Sequence, residues 1–330
     1  MNRNSPIHRL RDRRALVIGL SSAISLAVIS LLSLVVSGCT AESGGNVDGS
    51  TRLKVVCTTD MVGEMTSRIA GDSADVQALM PTGVDPHLYK PSESDVSLLR
   101  NAQVIFYNGL ALEGKMAIVL EKMARTKPVV PVGEAIPEGE RRRPPEFDGG
   151  YDPHIWFDVR LWAKTLEPIA KTLAANDSKN ADGYRERAEA LLQDLTSLDA
   201  WAEKELARIP KERRVLVTAH DAFGYFGQRY GVEVVAIQGI STAAQAGLRD
   251  IERVVKIISE RAIPAVFVEA SVARRNIEAV QEACAERGHS VGVGGTLYSD
   301  SMGAPGTLEG TYRGMVEHNV RTIVKALTAE

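Results

Sequence analysis

"ADGYRERAEALLQDLTSLDAWAEKELARIP", residues 181–210, sets apolar side chains at three- and four-residue steps and holds no proline before its last position. That period is the signature of an amphipathic helix. About 30 residues exceeds the usual helix of roughly 8–20, and at 1.5 Å per residue the element would be about 40 Å long. A helix of that length suits a rigid spine between two domains, so the segments on either side decide what it joins.

On the N-terminal side, short apolar runs alternate with helical stretches. "LKVVCTT", "ADVQALM", "QVIFYNG" and "PVVPVG" read as strands. "DMVGEMTSRIAG", "SESDVSLLRNA" and "EGKMAIVLEKMART" read as the helices between them. On the C-terminal side "RRVLVTA", "VEVVAI", "AVFVEA" and "SVGVGG" are strands. The helices there are "DAFGYFGQRYG", "GLRDIERVVKIISERA", "RRNIEAVQEACAERG" and a last one from about Glu309. Apolar strands in β-α-β alternation are buried on both faces, which predicts parallel sheets covered by helices. The expected fold class is therefore α/β: two lobes with mainly parallel sheets flanked by helices, joined by one long backbone helix. The lobes are placed at 53–176 and 211–330, with the linking segment at 177–210. Residues 158–176 read as one further helix, and "PEGERRRPPEFDGGYDP" as a loop. No fixed-period repeat relates the halves.

The 330 residues suit one large or two ordinary domains. An apolar content of 44% provides for a real core. The net charge of −3 and the lack of a basic patch interleaved with aromatics argue against a nucleic-acid partner.

The first residues are not part of this pattern. "MNRNSPIHRLRDRR" is basic and is followed by an uncharged run of about 24 residues ending "VVSGC" at Cys39. This is an export signal, and its end resembles a lipobox whose cysteine is acylated. The run is also long enough to span a bilayer if it stays uncleaved. Either way the expectation is an exported, membrane-tethered protein, periplasmic or at the cell surface. The signal covers 1–39 and a Gly/Ser-rich tether 40–52. Cys57 and Cys284 sit in apolar-periodic stretches and read as buried free thiols, since two lone cysteines do not make a disulfide framework.

Asp-Pro-His occurs twice, at 85–87 and 152–154, in a chain with six histidines. Asp-Pro starts turns readily, because proline fixes its own φ and biases the residue before it away from helix. His87 follows the strand "ADVQALM" by a short loop, His220 comes directly after "VLVTA", and Asp300 lies just past "SVGVGG". His154 opens a helix. In open α/β sheets ligands bind at the carboxyl edge of the strands, so a cleft between the halves would gather all four. Three imidazoles and one carboxylate suit a divalent transition metal, tetrahedral Zn²⁺ or Mn²⁺ bound through both carboxylate oxygens. Thiolates for Cu(I) and oxygens enough for Ca²⁺ are lacking. Structural roles stand beside these: Asp221 as a helix cap next to His220, Asp300 as a turn former, and Glu269 as a charge partner. His289 and His318 read as surface or packing residues, and Trp156 and Phe157 as core.

"MPTGVDPHLYKPS", "YDPHIWFDV", "TAHDAFGYFGQRYGVEVVAIQGISTAAQ", "AVFVEASV" and "LYSDSMG" together resemble the metal-binding receptors of zinc and manganese ABC importers, the cluster A-I (cluster 9) solute-binding proteins. The resemblance covers residues 53–330. It implies two α/β lobes on one backbone helix and a metal held between them by His87, His154, His220 and Asp300. It also implies a receptor rather than an enzyme, working as a monomer with a separate permease and ATPase. The chain itself has no P-loop pattern. The zinc-dedicated branch often carries a His-rich loop before the second ligand. Here that loop is "EGERRRPPEFDGG", without histidine, which favours Mn²⁺ over Zn²⁺, with Fe left open. The rival readings are a metal-chelate receptor, which needs an aromatic or Arg-lined cleft, and a zinc hydrolase, which needs an open coordination position and a base such as Asp221 or Glu269. A lipoprotein in which the metal is only structural is a third. Metal ligation needs deprotonated imidazoles, so affinity is expected to fall as pH drops through about 6.5.

Overall fold

Two alternations of strand and helix flank one long helix in the computed structural model of the protein, which describes residues 52–145, 147 and 150–328. The export signal, Cys39 and residues 40–51 lie outside the described residues.

The first alternation runs β1 (Leu53–Cys57), α1 (Asp60–Ala70), β2 (Ala74–Ala78), α2 (Glu93–Asn101), β3 (Val104–Tyr107), α3 (Ala117–Ala124) and β4 (Val129–Pro131). Its four strands are parallel, in the order β2-β1-β3-β4. The chain therefore turns to opposite sides of β1, and the loops after β1 and β3 open the crevice that such a switch creates. Local chemistry sets the helix ends. The Thr59 hydroxyl accepts the Val62 N–H to start α1, and Ser92 and Asp95 form a reciprocal capping box on α2.

Residues 158–176 are two helices, α4 (Val159–Ala163) and α5 (Leu166–Asn176), not the single one expected. Pro168 explains the break. It has no N–H to give a carbonyl four residues back, so the helix restarts with Pro168 in its first turn, where that loss costs least.

The linking helix α6 (Ala181–Leu206) has 26 residues, about 39 Å at 1.5 Å per residue. It stops short of Pro210 because Arg208 and Ile209 already bond to carbonyls three residues back. Its buried stripe is Tyr184, Leu191, Leu195, Leu198, Ala202 and Leu206, and each fully buried leucine contributes roughly 1.5–3 kcal/mol. This face packs on α1, α4 and α5 from the N-terminal half and on the last helix, Tyr312–Thr328, from the C-terminal half. Arg187 ties α6 to the end of α1, donating to the Ile69 and Ala70 carbonyls at 2.7 and 3.0 Å.

The second alternation is β5 (Val215–His220), α7 (Gly224–Tyr230), β6 (Glu233–Gln238), α8 (Leu248–Arg261), β7 (Ala265–Glu269), α9 (Arg275–Glu286), β8 (Gly292–Leu297) and α10 (Tyr312–Thr328). β5 pairs with β6 and β7 with β8, both parallel, and β5 lies alongside β7. The expected two-lobed α/β architecture on a long helix is the one observed. Each lobe has an apolar cluster of its own, but the largest cluster spans both. Val55, Phe106 and Trp156 belong to one continuous cluster with Leu216, Phe223 and Met315, and Phe157 stacks on Phe223 with ring centroids 4.3 Å apart. Cys57 and Cys284 are free and buried, and burial pushes the Cys57 thiol up to about 12, which makes it unreactive.

Candidate metal centre

His87, His154, His220 and Asp300 come together, each buried, with one donor atom per residue inside a span of 4.8 Å; His87, His220 and Asp300 lie at or past the carboxyl ends of β2, β5 and β8. His220 is itself the last residue of β5, and Asp300 follows β8 by three residues. His154 precedes a 3-10 turn, Ile155–Phe157, rather than opening an α-helix.

The two Asp-Pro-His turns share a backbone device. Asp85 Oδ1 accepts the His87 N–H at 2.8 Å, and Asp152 Oδ1 accepts the His154 N–H at 2.9 Å. There the likeness ends. Asp152 Oδ1 also takes the Nδ1 of its own histidine at 2.8 Å, while its other oxygen pairs with the Arg142 guanidinium. Asp85 instead sends its second oxygen across the cleft, where the Thr242 hydroxyl donates to it at 2.5 Å.

His220 is held as His154 is. Glu269, ending β7, accepts the His220 N–H at 2.9 Å and its Nδ1 at 2.5 Å. A carboxylate on Nδ1 fixes the ring and leaves Nε2 as the metal-facing atom. Among the described residues His87 has no such partner.

The inward atoms crowd one point. The Nε2 atoms of His87 and His154 are 3.2 Å apart. Asp300 Oδ1 lies 3.5 Å from His154 Nε2, and Oδ2 lies 3.3 Å from His220 Nε2. An ion bound tetrahedrally at about 2.0–2.1 Å separates its donors by roughly 3.3 Å, so the set fits one transition-metal ion. His220 Nε2 and both Asp300 oxygens are buried without a hydrogen bond, a costly state unless something else satisfies them. Asp300 is thus not a turn former, since its carboxylate bonds to no backbone.

The charges agree. Burial pushes the His87 imidazole down to about 3, so it is neutral. Burial also opposes charge on His154, but its bond to Asp152 and the nearby Asp300 carboxylate outweigh that and raise it to about 9. His220 stands well above its ordinary value because Asp300 and Glu269 outweigh burial, and Asp300 stands well below its own because the two imidazoles do. The carboxylates thus favour protons on these two rings, and a binding cation would compete with them.

The other candidates fall elsewhere. His289 and His318 face the carbonyls of Ile263 and Thr296 at 3.1 and 3.0 Å. Asp221 caps nothing, because α7 begins three residues later without a side-chain cap. Glu269 is fully engaged on His220 and is no free base. Trp156 is core, as expected, yet its indole N–H also donates to the Ser299 carbonyl at 2.9 Å, next to Asp300. Sequence reasoning missed Asp152 and Asp85 as partners, although the repeated tripeptide named both. It missed Glu113 entirely: this buried carboxylate accepts from Thr58, Asn108 and Gly109 and shapes the crevice loops. Nothing in its local pattern marked it.

Residues 55–326 match the family model described as "ZnuA: Zinc-uptake complex component A periplasmic". The manganese-binding lipoprotein MntA of Bacillus subtilis (strain 168) is 44% identical over 310 residues, 94% of this chain and 99% of that protein. The zinc-binding protein TroA of Treponema pallidum (strain Nichols) is 44% identical over 273 residues, 83% of this chain and 88% of that protein. Its solved structure superposes with a TM-score of 0.82, covering 84% of this chain and 99% of that one. Fe(III)-bound YtgA of Chlamydia trachomatis gives a TM-score of 0.76 at 28% identity, covering 83% of this chain and 98% of that one.

Proposed function

The chain belongs to the ZnuA/TroA-type family of periplasmic metal-binding solute-binding proteins of ABC transporters, and we propose that it captures a divalent transition metal, Mn²⁺ ahead of Zn²⁺, for import. His87, His154, His220 and Asp300 are the ligands in this reading. The ion sits between a lobe of residues 53–176 and a lobe of residues 211–330, on either side of 177–210. The carrying observation is the converging donor set itself: four buried side chains whose inward atoms lie within 4.8 Å of each other. That space suits a bare ion and is too small for an organic chelate. With four protein donors there is little room for an activated water, in keeping with a transport protein rather than an enzyme.

The preference for Mn²⁺ rests on Asp300. Both its oxygens face the imidazoles and neither has another partner. Bound through both, the carboxylate raises the donor count to five, beyond what Zn²⁺ favours. The relatives do not decide the matter, since MntA is named for manganese and TroA for zinc. Acylation at Cys39 in the periplasm or at the cell surface accords with the lipoprotein relative. Delivery as a monomer to a membrane permease, driven by a separate ATPase, follows from the type of importer.

Calorimetric titration of residues 40–330, stripped of metal, with Mn²⁺ and Zn²⁺ in turn tests this. One-to-one binding that His220→Ala weakens by at least about 100-fold is expected, more than loss of an outer partner causes. Binding of both ions by His220→Ala as tightly as by the parent would overturn the assignment.

A further inference from the structure

His154 and His220 are each locked by a carboxylate on Nδ1, whereas the Asp300 carboxylate accepts no hydrogen bond. Its aim must come from the chain on either side of it, and those residues are gripped from across the cleft. Before it, the Ser299 carbonyl accepts the Trp156 indole N–H at 2.9 Å. After it, Asp60 Oδ2, at the start of α1, accepts the Ser301 hydroxyl at 2.9 Å and the Met302 N–H at 2.8 Å. The Ser301 oxygen in turn accepts the N–H of Gly83 at 2.7 Å, in the loop that carries His87. Ser301 is buried, while Asp60 is half-buried and Gly83 lies at the surface. One hydroxyl therefore joins three segments: the Asp300 loop, the His87 loop and the start of α1.

We propose that Ser301 and Asp60 are positioning residues, forming a latch between the lobes that holds Asp300 on the metal and sets how long the ion stays bound. This rests on the reading of Asp300 as a ligand. The latch acts after capture. With it broken, the three imidazoles still receive the ion, but Asp300 is free to swing out with its loop. Association then changes little while release speeds up. A residue needed only for folding would lower stability without separating the two rates.

The test is rapid mixing of the Zn²⁺-loaded protein with excess chelator, and of the metal-free protein with Zn²⁺. Ser301→Ala and Asp60→Ala are each expected to release Zn²⁺ about 10-fold or more faster, the effect of losing a hydrogen bond to a charged acceptor. Association should stay within about threefold. Each variant breaks bonds to buried Ser301 or Met302, so the thermal midpoint of the metal-free protein should fall somewhat, but a loss of stability alone would not separate release from association. The double variant should release little faster than either single one, because both break the same latch. Asp300→Ala is the control for the ligand reading. If it releases fast while Ser301→Ala and Asp60→Ala release at the parent rate, the latch is wrong and the ligand set stands. If Asp300→Ala also releases at the parent rate, the ligand reading fails and the latch falls with it.

Discussion

Asp85 and Asp152 begin identical tripeptides, yet only Asp152 bonds to the ring of its histidine. The difference makes the three imidazoles unequal. His154 and His220 are oriented and charged by Asp152, Glu269 and Asp300, while His87 is neutral and its ring is not fixed by a carboxylate. The pH dependence of capture follows from this. A raised imidazole keeps its proton at neutral pH, the cation must displace it, and apparent affinity therefore climbs with pH through about 9 instead of levelling above 6.5. Titrations from pH 6 to 9 in buffers of different ionisation enthalpy should show that climb together with proton release on binding. Glu269→Gln removes a charge that raises His220. It should weaken binding by about 10–100-fold near pH 9 and by less near pH 6, where the parent pays the larger proton competition. Equal loss across the range would show that the Glu269 charge does not set the protonation of His220. The tripeptides themselves were visible in the sequence, as was the ligand-type chemistry of all four residues. Which oxygen faces which ring was not, because it depends on partners such as Thr242 and Arg142 that lie far off in the chain.

At the scale of elements, periodicity located the strands and the linking helix but not the 3-10 turn after His154, and its other failures have local causes. Pro168 divided an expected helix, and backbone bonding three residues back ended α6 before Pro210. The end of α8 shows a further local conflict. Ala262 closes that helix in the left-handed region, φ +48°, with its N–H on the Ile258 carbonyl, and it is exposed. Glycine takes this conformation without the steric cost of a Cβ, about 1–2 kcal/mol. Ala262→Gly should therefore raise stability by about 1 kcal/mol in denaturant unfolding, with the slope unchanged and metal affinity unaffected. A loss of stability would mean that the Ala262 methyl packs usefully or that the unfolded-chain entropy of glycine dominates.

For the whole molecule, the question is how two lobes on a stiff helix take up and release an ion. Periodicity foresaw the helix but not the core that runs across it, since packing between residues as distant as Phe157 and Phe223 leaves no trace in local pattern. That continuous core and the burial of α6 against helices of both alternations make wide opening expensive, because separating the lobes would expose aromatic surface at roughly 25 cal/mol per Å². The movable parts are then the loops tied across the cleft by side-chain hydrogen bonds and not by the shared core: the His87 loop, the loop after β6 that carries Thr242, and the Asp300 loop. Hydrogen exchange of metal-free and metal-loaded protein should differ in these loops and stay the same along α6 and the buried strands. Equal protection of the loops in both states would mean that the site is fully formed before the ion arrives. A change spread along α6 would mean that the lobes do swing, and that the shared core yields more readily than its burial implies.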